Sequence, residues 1–152
     1  TKLDRNYECV TVNDYTRLTK NTKLGTNCNF NGLKIPGNGL VIIGNNFYSE
    51  NQILFFTSNH HYDYGDKLPY DETYITKNII IEDNVWIGSR IIILGGVTLG
   101  EGCVIQEGSV MVNSIPKYAI AGGHPAKVFK YRNKEHYQLL KENVPLKQKE
   151  KK

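Results

Sequence analysis

Apolar residues recur at every sixth position over residues 81–116, which divide into six hexads. The first position of the hexads holds Ile81, Ile87, Ile93, Leu99, Ile105 and Met111. The fourth position favours Asn and Gly, which best tolerate a positive φ angle, in the order Asn84, Arg90, Gly96, Gly102 and Gly108. A period of six defines no continuous face on an α-helix. The pattern therefore predicts short strands separated by corners, with three strands, about 18 residues, closing each coil of a triangular prism.

The same unit occurs earlier in the chain, from Ile43 to His60, with a looser match from Leu24 onwards. Between the two blocks the register breaks over residues 61–78, which predicts a loop pushed out of the prism. This loop is rich in tyrosines and acids: Tyr62, Tyr64, Tyr70, Tyr74, Asp63, Asp66, Asp71 and Glu72. Its composition suits a carbohydrate, because tyrosine faces stack on sugars and carboxylates accept hydrogen bonds from sugar hydroxyls.

The end of the chain has a different pattern. Asn133 is a candidate N-cap for a short helix that we expect to end near Asn143, before Val144-Pro145, with Lys147 to Lys152 frayed and solvated. We therefore expect one β-helix domain over residues 1–132, with the loop at 61–78, followed by a helix and basic tail over 133–152. A prism this slim has a high ratio of surface to volume, which favours self-association.

Composition narrows the class of protein. The chain has 152 residues, 39% of them apolar, which suits one globular domain, and its aliphatic runs are too short to span a membrane. Three widely spaced cysteines argue against a disulfide framework, and no export signal opens the chain, so we expect a soluble protein in a reducing cytoplasm. The net charge is −2 over residues 1–126 and +6 over residues 127–152. Such a basic tail suits nucleic acid, an acidic membrane or a phosphate ligand.

The repeats resemble the hexapeptide-repeat acyltransferases, and among them the sugar O-acetyltransferases related to galactoside, maltose and capsule-modifying enzymes. The matching stretches are Ile81 to Gly88, Ile93 to Gly100, Ser109, Ile115 to Val128, and Thr57 to His60. The resemblance implies an all-β, left-handed parallel β-helix, a homotrimer with active sites between subunits, and acetyl-CoA as co-substrate. The reaction it implies is acetyl transfer to a saccharide hydroxyl.

Acetyl transfer to a hydroxyl needs a base and donors for a tetrahedral oxyanion. His60 is the candidate general base, because it ends a repeat strand just before the loop and matches the family's catalytic histidine; the adjacent His61 is its main competitor. Asp63 follows at a spacing that would let it orient the ring of His60, bind an acceptor hydroxyl or cap a turn. Ser89 matches the family serine near the thioester carbonyl, which makes it the candidate oxyanion donor.

The other site residues divide between acceptor and cofactor. Tyr62 and either Asn29 or Asn31 are candidates for acceptor contacts, and Trp86 is a candidate either for the acceptor site or for packing between prisms. The resemblance places Gly108 and Ser89 along the coenzyme A track and Lys127 and Lys130, aided by Arg132, near its 3′-phosphate. Lysine suits that position as a point-charge partner of phosphate oxygens. Glu107, Val112 and Asn113 depart from the residues that the family usually carries along this track.

Other functions stay open. An antibiotic acetyltransferase of the same fold is the enzymatic alternative, and a catalytically inactive β-helix binding protein is the alternative from another class. A zinc enzyme on this prism would need several histidines from separate strands, and only His60 and His61 lie in or beside the repeats, so no metal is expected. No nucleic-acid motif accompanies the basic tail, so no nucleic-acid partner is expected.

Overall fold

The hexads fold into short strands joined by corners, as predicted. The computed structural model describes residues 9–149. Its strands are β1 (Val10–Asp14), β2 (Thr22–Leu24), β3 (Cys28–Asn31), β4 (Leu33–Lys34), β5 (Val41–Ile43), β6 (Tyr48–Ser49), β7 (Ile53–Phe56), β8 (Ser58–His60), β9 (Tyr74–Thr76), β10 (Ile79–Ile81), β11 (Trp86–Ile87), β12 (Ile92–Leu94), β13 (Thr98–Leu99), β14 (Val104–Ile105), β15 (Val110–Met111), β16 (Ala119–Gly123) and β17 (Ala126–Tyr131). One helix follows, α1 (Lys134–Lys149).

Successive strands of a coil belong to three different parallel sheets, which form the faces of the prism. Face A has the order β1-β3-β6-β11-β14-β16-β17, face B the order β15-β12-β7-β4, and face C the order β13-β10-β5-β2. All pairs on these faces are parallel except β16 and β17, which are antiparallel. The reversal at β17 leaves face A with an edge strand that continues into α1.

The inside of the prism is a continuous apolar stack. The first-position residues Ile81, Ile87, Ile93, Leu99, Ile105 and Met111 are all buried. The fifth-position residues Val85, Ile91, Val97 and Cys103 are buried beside them. The earlier block adds three large buried rings, Phe30, Phe47 and Phe55. Burial of this many aliphatic and aromatic side chains is the main stabilising contribution to the prism.

The corners confirm the prediction for the fourth position of each hexad. Their φ angles are 60° at Asn84, 56° at Arg90, 91° at Gly96, 72° at Gly102 and 75° at Gly108. Along one corner the asparagines form a ladder, in which Asn27 donates to Asn46 at 2.9 Å and Asn46 donates to Asn84 at 2.8 Å. The ladder stacks identical turns on one another and so fixes the register between coils.

A projecting arm, residues 58–76, interrupts the prism between faces B and C. It is a hairpin whose stem pairs β8 with β9, with Ser58 opposite Thr76 and His60 opposite Tyr74. The segment expected as a loop over 61–78 therefore starts earlier, at Ser58, as a two-stranded stem. By Asn78, whose carbonyl accepts a hydrogen bond from the N–H of Gly96, the chain is again part of the prism. Antiparallel pairing within the arm explains why the hexad pattern is lost there.

The helix α1 starts at its predicted cap, because the side chain of Asn133 accepts a hydrogen bond from the N–H of His136 at 2.9 Å. The prediction that it ends near Asn143 is wrong, since its backbone continues to Lys149. Pro145 lacks an N–H and so cannot donate in the helix, but the backbone remains helical through and beyond it. The rest of the predicted tail, residues 150–152, lies outside the described residues.

A single tyrosine docks α1 on the prism. Tyr137 is buried, packs edge-on against Tyr118 at 4.9 Å between ring centroids, and receives a hydrogen bond from Asn84 at 2.9 Å. Below it, Glu101 accepts hydrogen bonds from Tyr137 and Lys141. Although burial works to raise the pKa of the Glu101 carboxyl, the bond and charge of Lys141 outweigh it, so that this pKa is lowered. The helix is thus held by a charged and aromatic cluster at one corner.

The cysteines carry no disulfide. Cys9 is exposed, and Cys28 and Cys103 are buried, all as free thiols. Burial raises the pKa of the Cys103 thiol to about 12. Among the described residues, no helix has the length and apolar character needed to cross a membrane.

Candidate active site

His60 sits at the root of the arm, where the prism fixes the backbone. Just before it, buried Thr57 accepts a hydrogen bond from the N–H of Gly39 at 3.0 Å and donates its hydroxyl to the carbonyl of Pro36 at 3.2 Å. The stem then places His60 opposite Tyr74, and the N–H of His61 donates to the carbonyl of Thr73 at 3.1 Å. His60 is therefore held on a short, doubly anchored strand.

The half-buried imidazole of His60 lies between two tyrosine rings. It stacks on Tyr70 with centroids 3.5 Å apart and an interplanar angle of 13°, and Tyr74 lies 4.6 Å away at 35°. Its Nδ1 atom is buried and has no hydrogen-bond partner among the described residues. The competing His61 has a looser environment, with its ring 6.0 Å from that of Tyr64.

Asp63 and Tyr62 are exposed at the start of the arm. Within residues 9–149, Asp63 forms no hydrogen bond or ion pair with His60, so the expected orienting contact is not present. The side chain of Tyr62 is free to meet a ligand. Among the described residues, neither Tyr62 nor Asp63 has a side-chain hydrogen-bond or ion-pair partner.

Asp71, which the sequence did not single out, organises the arm. Its carboxylate accepts hydrogen bonds from the hydroxyl of Thr73 at 2.6 Å, from the N–H of Thr73 at 2.8 Å and from the N–H of Asp66 at 2.9 Å. These bonds, the hydroxyl first, lower the pKa of Asp71 to about 2. The spacing Asp-x-Thr is a turn signal that could have identified it.

Trp86 belongs to a row of outward side chains across face A. Strand register places Asn29 beside Tyr48, and Tyr48 beside Trp86. Trp86 is 43% exposed and Tyr48 41% exposed, so both rings offer a surface to solvent. Sequence reasoning missed Tyr48, although it occupies the same sixth hexad position as Trp86.

The structure also separates the two candidate asparagines. The Asn31 side chain is engaged at both ends, since it donates to the carbonyl of Ser49 at 2.8 Å and accepts from Asn13 at 2.9 Å. Asn29 makes one long bond, donated to the carbonyl of Asn27 at 3.4 Å, and lies in the row with Tyr48. Of the two, Asn29 has the side chain available for a ligand.

Ser89 and Gly108 stack on each other at the corner between faces A and B. The N–H of Gly108 donates to the carbonyl of Ser89 at 2.9 Å. Within the described chain, the N–H of Ser89 donates to no backbone carbonyl. A side chain added at Gly108 would meet nothing within 4 Å, whereas one at Gly88 would meet the side chain of Glu107 at 2.7 Å. Glu107 thus covers Gly88 beside an open corner.

Lys127 and Lys130 are exposed on the edge strand β17, opposite Gly122 and Ile120 respectively. The ion pairs of the described residues involve other lysines, Lys67, Lys117 and Lys141, so these two ammonium groups are uncommitted. Arg132 is engaged, because it donates to the carbonyl of Gly102 at 2.6 Å and lies over the ring of Tyr137.

One chain does not bring all the candidate residues together. His60, Tyr62 and Asp63 lie on the arm between faces B and C, whereas Ser89 and Gly108 lie at the corner between faces A and B. Trp86, Asn29 and the two lysines lie on face A. The set therefore divides into an arm half and a face A half, separated by the width of face B.

Two clefts that lie along α1 do not include the candidate base. One cleft of about 340 Å³ is lined by residues that include Asp83, Asn84 and Tyr137, and another of about 460 Å³ by residues that include Lys130 and His136. His60 lines neither cleft. No group of three or more His, Cys, Asp or Glu side chains with metal-binding geometry occurs in the described residues.

Comparison with known proteins begins with the repeats. A family model described as bacterial transferase hexapeptide (six repeats) matches residues 78–113. A Schizosaccharomyces pombe protein named "Putative acetyltransferase" is 39% identical over 101 residues, 66% of this chain and 45% of that protein. A chloramphenicol acetyltransferase of Klebsiella aerogenes is 32% identical over 93 residues, 53% of this chain and 44% of that protein. The chain spans about half the length of these curated relatives.

Solved structures agree with the fold. A galactoside acetyltransferase in complex with coenzyme A has a TM-score of 0.68 at 29% identity, covering 86% of this chain and 68% of that one. A maltose O-acetyltransferase from Clostridium difficile has a TM-score of 0.68 at 28% identity, covering 82% of this chain and 67% of that one. The predicted left-handed parallel β-helix is confirmed. With its hexad repeats, its three-sided prism and these likenesses, the chain belongs to the hexapeptide-repeat transferase family.

Proposed function

We propose that this chain is an O-acetyltransferase that moves an acetyl group from acetyl-CoA to a hydroxyl of a saccharide. The observation that carries the proposal is a histidine, His60, held at the root of a projecting arm with one ring nitrogen buried. The galactoside and maltose acetyltransferases that share the fold support the acceptor class, and the bound coenzyme A of the former supports the donor.

His60 supplies the base. Because Nδ1 is buried, Nε2 is the nitrogen left to meet an acceptor hydroxyl. It takes the hydroxyl proton while the acceptor oxygen forms a bond to the thioester carbonyl carbon. When the tetrahedral intermediate collapses, the carbon–sulfur bond breaks and the imidazolium returns the proton to the departing thiolate, so His60 ends the cycle neutral.

Ser89 supplies the oxyanion donor. Its backbone N–H, which has no carbonyl partner among the described residues, is available to a developing negative charge. The corner at Gly108, where an added Cβ would meet nothing within 4 Å, leaves room for the pantetheine arm. The free ammonium groups of Lys127 and Lys130 then suit the 3′-phosphate, as point-charge partners of its oxygens.

Asn29, Tyr62 and Trp86 make up the acceptor side of the proposed site. Trp86 and the neighbouring Tyr48 offer ring faces for sugar stacking, and Asn29 offers an amide for a sugar hydroxyl. Asp63 has no partner in the described residues and is assigned to an acceptor hydroxyl rather than to the ring of His60. The arm carries four acids against Lys67, which favours a neutral sugar over a polyanionic one.

The division of the site into two halves argues for sharing between copies of the chain. We assign a homotrimer, in which the arm half of one copy meets the face A half of its neighbour. The arm exposes tyrosines and Leu68, and face A exposes Tyr48 and Trp86, so each side offers apolar surface for burial.

The test pairs two histidine variants with an acceptor screen. Release of the coenzyme A thiol is followed with acetyl-CoA and a panel of galactosides, maltosides and chloramphenicol. His60→Ala should lose at least about a hundredfold in turnover, the lower end for loss of a general base, while His61→Ala stays within about tenfold. A hundredfold loss in His61→Ala with His60→Ala nearly normal would move the base by one residue.

A drug acetyltransferase is the second candidate, favoured by the Klebsiella aerogenes chloramphenicol relative. It would use the same base and donor track with a different acceptor on face A. Turnover with chloramphenicol and none with any sugar would overturn the saccharide assignment while leaving the acetyl-CoA chemistry in place.

A further inference from the structure

The imidazole of His60 is held by aromatic rings where a carboxylate would be expected. Tyr70 covers one face of the ring at 3.5 Å, nearly parallel to it, and Tyr74 lies against it at 4.6 Å. Tyr74 reaches the ring from the paired strand, directly opposite His60, and Tyr70 reaches it from the far part of the arm. Two separate parts of the arm thus contact the imidazole of His60, each through a tyrosine ring.

Hydrogen bonds do not explain the orientation of this ring. Within residues 9–149, Nδ1 of His60 has no partner, and neither Asp63 nor Asp71 bonds to it. Asp71 is instead committed to Thr73 and Asp66. The stacking contacts are therefore the interactions that restrict the imidazole to one orientation.

We propose that Tyr70, backed by Tyr74, is the positioning residue for His60, a role that rests on the proposed function of His60 as base. A parallel ring at stacking distance fixes the plane of the imidazole and so aims Nε2 at the acceptor. The same π face stabilises the positive charge that His60 carries after it takes the proton. The contact that Tyr70 makes is with the imidazole, so its effect acts through His60.

This inference changes the role of the tyrosine-rich arm. The face of Tyr70 that stacks on His60 is occupied and not available to a sugar. Tyr62, by contrast, is exposed and free. The tyrosines of the arm therefore divide into a pair that holds the base and others that are free to contact a ligand.

The test compares Tyr70→Leu, which removes the ring, with Tyr70→Phe, which keeps it. In the full chain, Tyr70→Leu should lower kcat by roughly tenfold or more while KM for acetyl-CoA stays unchanged, and Tyr70→Phe should restore kcat. A matched control is Tyr15→Leu, which removes an exposed tyrosine outside the arm. Exchange protection of the His61 amide, bonded to Thr73, reports whether the arm remains folded.

An NMR measurement separates this proposal from the proposed function. A ring stacked at this distance shifts the carbon-bound imidazole protons of His60 upfield, and this shift should disappear in Tyr70→Leu and persist in Tyr70→Phe. An unchanged shift in Tyr70→Leu overturns the positioning role, whatever the activity. Normal kcat in Tyr70→Leu, with His60→Ala inactive, overturns it as well. Absence of acetyl transfer in the wild type would instead defeat the proposed function, with the ring shift still deciding the contact.

Discussion

The backbone N–H and C=O groups of the prism and of the arm find their hydrogen-bond partners in different ways. In the prism, N–H groups donate to the next coil, as Gly44 does to Ile81 at 2.8 Å and Gly88 does to Ile105 at 2.9 Å. In the arm, two short antiparallel strands pair with each other, and the turn beyond them is held by the carboxylate of Asp71. Each coil of the prism is therefore stabilised by hydrogen bonds to the adjacent coils, whereas the arm is stabilised by hydrogen bonds within itself.

The prism and the arm also differ in how far their apolar side chains are buried. Phe55, in β7, is fully buried, whereas Leu68, about a dozen residues later at the tip of the arm, is 95% exposed. Apolar burial stabilises the first region and contributes almost nothing to the second. A rigid prism that carries a less stable projecting arm suits an active site, because the arm can adapt to a ligand while its root stays fixed.

The largest effect is expected from a cavity in the prism. Phe55→Ala should lower the free energy of unfolding by about 3–5 kcal/mol, because the removed ring is fully buried in the apolar core. Urea denaturation followed by circular dichroism measures this loss. The arm counterpart, Leu68→Ala, should change the free energy of unfolding of the single, dissociated chain by no more than about 0.5 kcal/mol. Equal losses in the two variants would show that the arm shares the core of the prism.

A smaller effect is expected where the prism meets α1. Gly102 has a φ of 72°, and a Cβ there would meet the ring of Tyr137 at 2.7 Å. Gly108 has a φ of 75° and an open surrounding, which makes it a matched control. Gly108→Ala should cost about 1–2 kcal/mol from backbone strain alone, and Gly102→Ala should cost more because it also displaces Tyr137. Thermal unfolding compares the two, and equal costs would mean that Tyr137 yields without loss.

The regular part of the molecule could be predicted because its signal is local. A strand and a corner occupy six residues, so the positive φ angles at Asn84 and Arg90 follow from the hexad itself. The inward stack of Ile81, Ile87 and Ile93 follows from the same period. The N-cap at Asn133 is another local signal, confirmed by its bond to His136.

The site could be predicted only in part, because its contacts join distant residues. The stacking of Tyr70 on His60 spans ten positions that lack any period, and no spacing rule relates them. The difference between Asn29 and Asn31 depends on Ser49, one coil away. The separation of the arm from Ser89 depends on how the coil closes, which no single motif encodes.

The smallest effect is a response of the arm to acid that the prism does not share. The pKa of Asp71 falls from its usual 3.8 to about 2, chiefly through the hydroxyl and then the N–H of Thr73. Because the folded pKa lies below the unfolded one, this carboxylate stabilises the arm above pH 3.8, and the contribution is lost as the pH falls from 3.8 to about 2.

The NMR signal of the Thr73 amide should therefore shift with a midpoint near the lowered pKa of Asp71, while the amide signal of Trp86 in the prism stays constant. In Asp71→Asn no carboxylate remains to titrate, so the Thr73 signal should lose this transition. A common midpoint for Thr73 and Trp86 would mean that acid unfolds both regions together, and the arm would then not be the separate, locally stabilised unit that its hydrogen bonds indicate. Separate behaviour would show that acid removes the contribution of Asp71 to the arm while the prism, to which Thr57 anchors the root of His60, stays folded.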